Sequence, residues 1–159
     1  MSQLQGSVGM DGRATRPVFF DDYVVGMRFT SPARRIADDD VRAYVRFSND
    51  VRPVFEDSTG GGLAVPQMYL FSLGVSMLLH GDGGYIPEHF VAFYGFDLIT
   101  FHGATTAGTT IRSEAVVTRL TPRSTTGLVE YHHQTTASDG RVLVASQQSI
   151  LVRRRGGDG

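Results

Sequence analysis

The sequence predicts an α+β domain in which a long central helix is wrapped by a curved antiparallel sheet. Two observations carry the prediction. Residues Gln67 to Leu79 are apolar on every face, relieved only by Ser72, Gly74 and Ser76, and a helix of that kind belongs in a core. From Phe90 onward the chain turns rich in aromatic and branched residues, and Asp139-Gly140 sits between two such runs. That dipeptide is a strong hairpin signal, so the strands around it return antiparallel.

The elements follow in chain order. Residues 1–16 are polar and glycine-bearing and read as a disordered tail; a single domain spans 17–155, and 156–159 form a second short tail. After an opening segment at Pro17, a strand is expected near Arg28 to Arg34. Ala37-Asp38-Asp39-Asp40 opens a helix, with an Asp able to cap it and the others favouring the positive end of its dipole. Val41, Tyr44 and Val45 keep helical spacing to about Ser48, and Pro53 lies just past the end. The central helix opens at Pro66, whose missing N–H needs no partner in a first turn, and His80-Gly81 ends it. Strands are then expected from Phe90, with a bulge at Gly95, over Gly108 to Leu120, over Leu128 to Ala137 and over Arg141 to Val152. Residues 121–127 form the turn between the second and third of these. The closing Arg153-Arg154-Arg155 reads as a frayed, solvated tail.

Composition narrows the function. The chain has 159 residues, no cysteine and a formal net charge of −1. Disulfides and thiolate chemistry are therefore excluded, and no global basic field invites nucleic acid. No run is long and apolar enough for a membrane span, and the first residues lack the apolar segment of a signal peptide. A soluble cytoplasmic protein is expected.

The candidate site lies where a polar loop meets the head of the central helix. Asp50 and Arg52 stand in the loop, Gly60-Gly61-Gly62 follows, and Pro66 starts the helix. Polar groups held just before the positive end of a buried helix can bind and polarise an anionic or carbonyl oxygen. The plain alternative is a core helix preceded by an ordinary loop. Among the histidines, His132 and His133 are adjacent on a strand and must face opposite ways. His102 follows a strand and can face the site, His89 lies on a loop, and His80 is at the far end of the helix.

These residues resemble the MaoC-like dehydratases of the hotdog fold, which include the R-specific enoyl-thioester hydratases. The pieces that carry the resemblance are FFDDYVVGMRF, ARRIADDDVRAYVRFSND, LAVPQMYLFSLG and FYGFDLITFHGATTAGTTIRSEAVV, in that order. The family's central motif is Asp-x-Asn-Pro-x-His. Laid on this chain, Asp50 and Pro53 match, Arg52 replaces the Asn, and Phe55 replaces the catalytic His. The family's glycine at the helix start falls at Gln67, and a later Gly-Asp-Thr reads Gly108-Thr109-Thr110.

The resemblance implies a hotdog fold, no cofactor and no metal, and an acyl or polyketide thioester substrate carried by coenzyme A or a carrier protein. A homodimer is expected, because apolar residues left on the sheet edge or outer face need a partner. Asp50 and Arg52 are the catalytic candidates; Phe55, Pro66, Gln67, Met68 and Tyr69 are the candidates for binding substrate. Hydration needs a base for water and an acid for the α-carbon, and Phe55 can be neither. Altered chemistry is therefore expected. The alternatives are a biosynthetic cyclase or isomerase using the same pocket, and a non-catalytic subunit supporting an intact partner.

Overall fold

A computed structural model describes residues 16–50, 61–79 and 86–156. A short 3-10 turn at Phe20–Asp22 leads into β1 (Arg28–Thr30) and β2 (Arg34–Arg35). Helices α1 (Asp38–Ser48) and α2 (Gln67–Leu79) follow, then β3 (Phe90–Phe101), β4 (Thr110–Pro122), β5 (Thr126–Ala137) and β6 (Val142–Arg153). The sheet is six-stranded, in the order β1-β4-β5-β6-β3, with β2 also on β4. Every pairing is antiparallel.

The expected elements are present, with five corrections. The first strand is two short ones, separated by Ser31, Pro32 and Ala33. Ser31 bonds β4 sideways across this break: its N–H donates to Ser113 O at 2.9 Å and its Oγ accepts from Ser113 N at 2.9 Å. The expected turn over 121–127 is mostly strand, because Arg123 N–H closes on Thr126 O at 2.8 Å and leaves only three residues between β4 and β5. Helix α1 has Ala37 at its N-cap with no side-chain bond, so no Asp caps it. Asp40 instead pairs with Arg34 of β2 at 3.1 Å. The arginine tail is fastened rather than frayed. Arg154 bonds Asp21 at 3.0 Å, Arg155 N–H bonds the same carboxylate at 2.8 Å, and the Arg155 guanidinium reaches Asp22 at 2.7 Å and lies over Phe19.

The fifth correction concerns α2, which is not buried on all sides. Leu70, Phe71, Leu73, Gly74, Val75, Met77 and Leu78 face the sheet and core, while Gln67, Met68, Ser72 and Ser76 are exposed. One curved sheet covers one side of a helix, and the small serines fall on the side left open.

Two apolar clusters lie under α2. One gathers Ile36, Leu63, Leu70, Leu73, Ile111 and Leu143; the other gathers Phe20, Phe29, Leu78, Tyr131 and Ile150. A polar belt separates them. On β4 it is Ser113, between Ile111 and Ala115; on β5 Thr135 and His133, between Ala137 and Tyr131; on β6 Ser146 and Gln148, between Val144 and Ile150. All are buried and joined by hydrogen bonds, as buried polar groups must be. Ser113 and Thr135 hydroxyls are 2.8 Å apart, Thr135 Oγ1 is 3.3 Å from His133 Nε2, His133 Nδ1 is 3.2 Å from Ser146 Oγ, and Gln148 Nε2 donates to Ser146 Oγ at 3.1 Å.

Helix α2 crosses this belt at Gly74. A Cβ there would overlap the Thr135 hydroxyl and crowd that of Ser113, so only glycine lets the helix lie this low. Gly74→Ala is expected to lower stability by about 1–3 kcal/mol or more, the usual range for overpacking a tight core. A chemical denaturation curve checks this, and an unchanged midpoint would contradict the packing.

Candidate functional site

The head of α2 is held by the loop between β3 and β4. Ala64 bridges Thr106, Val65 N–H donates to Thr105 O at 3.0 Å, and Ala107 N–H donates to Leu63 O at 2.8 Å. Gly62, at φ +83°, lies against the Thr106 side chain. Behind this, Thr105 Oγ1 donates to Thr109 Oγ1 at 3.1 Å, while Ile36 N–H bonds Thr109 O at 2.9 Å and Gly108 N–H bonds Ile36 O at 2.8 Å. Gly108 holds φ +90°, a conformation glycine adopts at little cost. The helix start is thus tied to β2 and β4 through backbone bonds.

The first bond of α2 runs from Leu70 N–H to Pro66 O at 3.0 Å. The N–H groups of Gln67, Met68 and Tyr69 precede the ladder and carry the positive end of the helix dipole. Pro66 is buried, the side chains of Gln67 and Met68 are exposed, and Tyr69 is half-buried. The Tyr69 ring lies 5.3 Å from that of Tyr44 on α1. The turn therefore presents backbone donors with one phenol beside them.

The structure brings Pro66, Gln67, Met68 and Tyr69 together. Asp50 stands just past α1, half-buried, after Asn49 ends that helix in the left-handed conformation at φ 54°. Its N–H closes on Val45 O at 3.2 Å. Arg52, Pro53 and Phe55 lie outside the described residues, as does His80.

The described histidines are placed as follows. His89 stacks on Phe19 with ring centroids 4.1 Å apart, beside the Arg155 contact. His102 is exposed at the start of the loop that holds α2, its N–H on Leu143 O at 2.9 Å. His132 faces the outer side, 3.2 Å from Gln147 Nε2. His133 faces inward in the belt, with Phe71 edge-on at 6.1 Å. Among the described residues no three His, Asp or Glu side chains group as a metal site requires. No helix among them is long and apolar enough to cross a membrane.

Sequence reasoning missed Tyr44, Thr105 and the belt. Tyr44 looked like one more apolar position of α1. Inward polar residues on a strand carry no mark that separates them from outward ones.

His133 is neutral at pH 7. Burial, then the neighbouring His132, pushes its imidazole down to about 4. Both ring nitrogens are engaged, Nδ1 with the Ser146 hydroxyl and Nε2 with that of Thr135. The unfolded imidazole takes a proton below its ordinary 6.5 and the folded one only near 4. Stability is thus intact above that window and falls with pH through it, by up to roughly 3 kcal/mol. His133→Gln, which cannot titrate, is expected to flatten this part of the melting temperature against pH curve; an unchanged slope would place the acid-sensitive group elsewhere.

An α+β domain with its helix head fastened by a strand-to-strand loop defines the class of fold, and the comparisons agree. No family model and no curated protein sequence matches the chain. Solved structures do. A MaoC-like dehydratase from Rhodospirillum rubrum superposes with a TM-score of 0.74 at 24% identity, over 87% of this chain and 98% of that one. An R-hydratase from Pseudomonas aeruginosa, unliganded, gives 0.71 at 16%, over 87% and 88%. A Mycobacterium tuberculosis protein with a double hotdog fold gives 0.71 at 19%, over 87% of this chain and 45% of that one. The fold is the hotdog fold, and MaoC-like dehydratases and R-hydratases are among its structural neighbours.

Proposed function

We propose that the chain is an enzyme of the hydratase and dehydratase lineage, acting in the cytoplasm on an acyl or polyketide thioester with altered chemistry. The observation that carries this is the head of α2: three N–H groups ahead of the helical ladder, on a turn fixed by the β3–β4 loop. Donors preorganised in that way suit the oxygen of a thioester as it gains negative charge. The exposed Gln67 side chain leans to solvent, so the glycine-to-glutamine change leaves these amides in place.

Asp50 is the base in this reading, or the anchor for a substrate hydroxyl. Arg52 binds the polar or anionic handle of a largely apolar substrate, and Phe55 packs against it. Without an imidazole at 55, simple hydration loses one proton-transfer partner, at a cost of roughly 10²–10⁴-fold. Crotonyl-CoA is therefore expected to turn over far below the ordinary range of about 1–10³ s⁻¹. Asp57 follows in the same stretch of sequence but outside the motif, so Asp50→Asn is expected to lower activity on the native substrate well below that of Asp57→Asn, and Phe55→His to raise hydration of crotonyl-CoA. If folded Asp50→Asn, Arg52→Ala and Phe55→Ala all keep full activity, the site lies elsewhere.

A cyclase or isomerase is the second reading, supported by an aromatic row. Phe90, Phe93 and Phe96 of β3 follow one another at 5.3 and 5.5 Å, and Phe96 meets Phe71 of α2 at 5.5 Å. Such a wall can hold a polyene in a reactive shape. A product with a new ring and unchanged mass would select this reading over hydration.

The same strand supports a homodimer. Among the described residues β3 is an edge, paired only with β6, and it exposes Val91, Phe93, Tyr94, Phe96 and Leu98. Leu98 is 80% exposed, and it sits at φ 51° where the register slips between Asp97 and Thr100. A long apolar edge invites a second copy. Sedimentation at micromolar concentration is expected to give twice the chain mass; a stable monomer would contradict the dimer.

A further inference from the structure

The end of the sheet where β2 meets β4 carries two arginines on its outer face. Ile111, Ser113 and Ala115 of β4 point inward, so Thr110, Arg112 and Glu114 point outward. The register sets Arg35 of β2 opposite Thr110, and Thr136 of β5 opposite Arg112. Cross-strand partners share a face, so Arg35, Thr110, Arg112 and Thr136 stand together. Both arginines are exposed, and neither has an ion-pair partner among the described residues. Three neighbouring acids already have partners: Glu114 bonds Arg28 at 2.9 Å, Asp139 bonds Arg141 at 2.8 Å and Asp40 bonds Arg34 at 3.1 Å.

Arg112 also lines a groove of about 300 Å³. Thr110, Thr136 and Ser138 bring three hydroxyls to its wall, Ala33 and Gly140 bound it, and no carboxylate is among the residues that line it. Thr136 Oγ1 reaches Arg112 O only at 3.5 Å, the outer limit of a hydrogen bond. The hydroxyls of Thr110 and Ser138 have no partner among the described residues. Arg35 lies at the edge, over Gly108, its Nη2 3.2 Å from where a Cβ there would stand. A carboxylate offers two oxygens in one plane, which a single guanidinium satisfies. A guanidinium with three hydroxyls around it and a second cation at the edge suits a tetrahedral anion with more oxygens and more charge.

We infer that this groove binds a phosphate monoester. Arg112 forks onto two of its oxygens, the hydroxyls of Thr110, Thr136 and Ser138 donate to the others, and Arg35 adds positive charge from the side. The groove is on the outer face of the sheet and the head of α2 on the inner one, so this is a second site, and it does not rest on the thioester reading. The same chemistry has two sources: the phosphate of a small metabolite, and the 3′-phosphate of coenzyme A.

The test is a titration of the labelled full chain with inorganic phosphate at low salt, with chloride of equal ionic strength as the reference. Saturable amide shifts are expected at Thr110 to Arg112 and Thr136 to Gly140, with Kd on the order of 1 mM. Arg112→Gln is expected to weaken binding about tenfold or more. Arg153→Gln removes the same charge at the opposite end of the sheet, where Arg153 is exposed beside Thr126, and is expected to leave binding unchanged; thermal melts check that both variants fold. Three results would overturn the proposal: shifts no larger than those with chloride, saturable binding that survives in Arg112→Gln, or an equal loss in Arg153→Gln, which is the mark of net charge alone. Calorimetry with coenzyme A and dephospho-coenzyme A then separates the sources. A preference of about tenfold for coenzyme A that Arg112→Gln removes assigns the groove to the 3′-phosphate. Equal binding of the two, with inorganic phosphate still saturating the groove, assigns it to a small phosphate ester.

Discussion

The contact between Gly74 and the hydroxyls of Ser113 and Thr135 sets the rest of the molecule. A helix can approach a sheet this closely only where it has no side chain. The approach fixes the height of α2 above β4 and β5, and thereby the position of its first turn some two helical turns away. The head of α2 then reaches the loop at Thr105–Ala107, where backbone bonds hold it. The donor groups of the site are thus positioned by packing at the middle of the helix and by hydrogen bonds at its end.

The polar belt that receives Gly74 is an unusual thing to place in a small core. Apolar residues there would bury more surface, and each hydroxyl, imidazole and amide must be partnered to avoid a large desolvation cost. The belt meets that demand with hydrogen bonds joining Gln148, Ser146, His133, Thr135 and Ser113. Bonds of that kind are directional and join side chains of β4, β5 and β6 in one geometry. An apolar belt would lack that directionality. The neutral His133 is part of that geometry, and its silence at neutral pH follows from its burial.

How much could be seen in the sequence depended on whether the cause was local. Helix α2 was visible because its apolar residues cover every face and Pro66 marks its start. The β5–β6 hairpin was visible because Asp139-Gly140 turns with Gly140 at φ +87°. The break between β1 and β2, and the fastening of Arg154 and Arg155 to Asp21 and Asp22, depend on residues far away along the chain. Nothing near Arg154 tells that a carboxylate 133 positions earlier will meet it. The site shows the same division. The start of α2 at Pro66 was legible from the sequence, while the contacts that Tyr44 and Thr105 make with this end of the helix arise only through the fold. The open stripe of Met68, Ser72 and Ser76 was also hidden, since hydropathy cannot say which side of an apolar helix the sheet leaves bare.

That the head of α2 is the binding site is the claim on which the functional account stands. It is tested most directly by amide chemical-shift mapping of the labelled protein as a non-reactive acyl-CoA thioether is added. The account predicts the largest changes at Gln67, Met68, Tyr69 and Leu70 and at Thr105 to Thr109, with Glu130 and Gln134 on the outer sheet face unmoved. Changes confined to the outer face of β4, β5 and β6, or none at the head of α2 when the ligand is saturating, would contradict it.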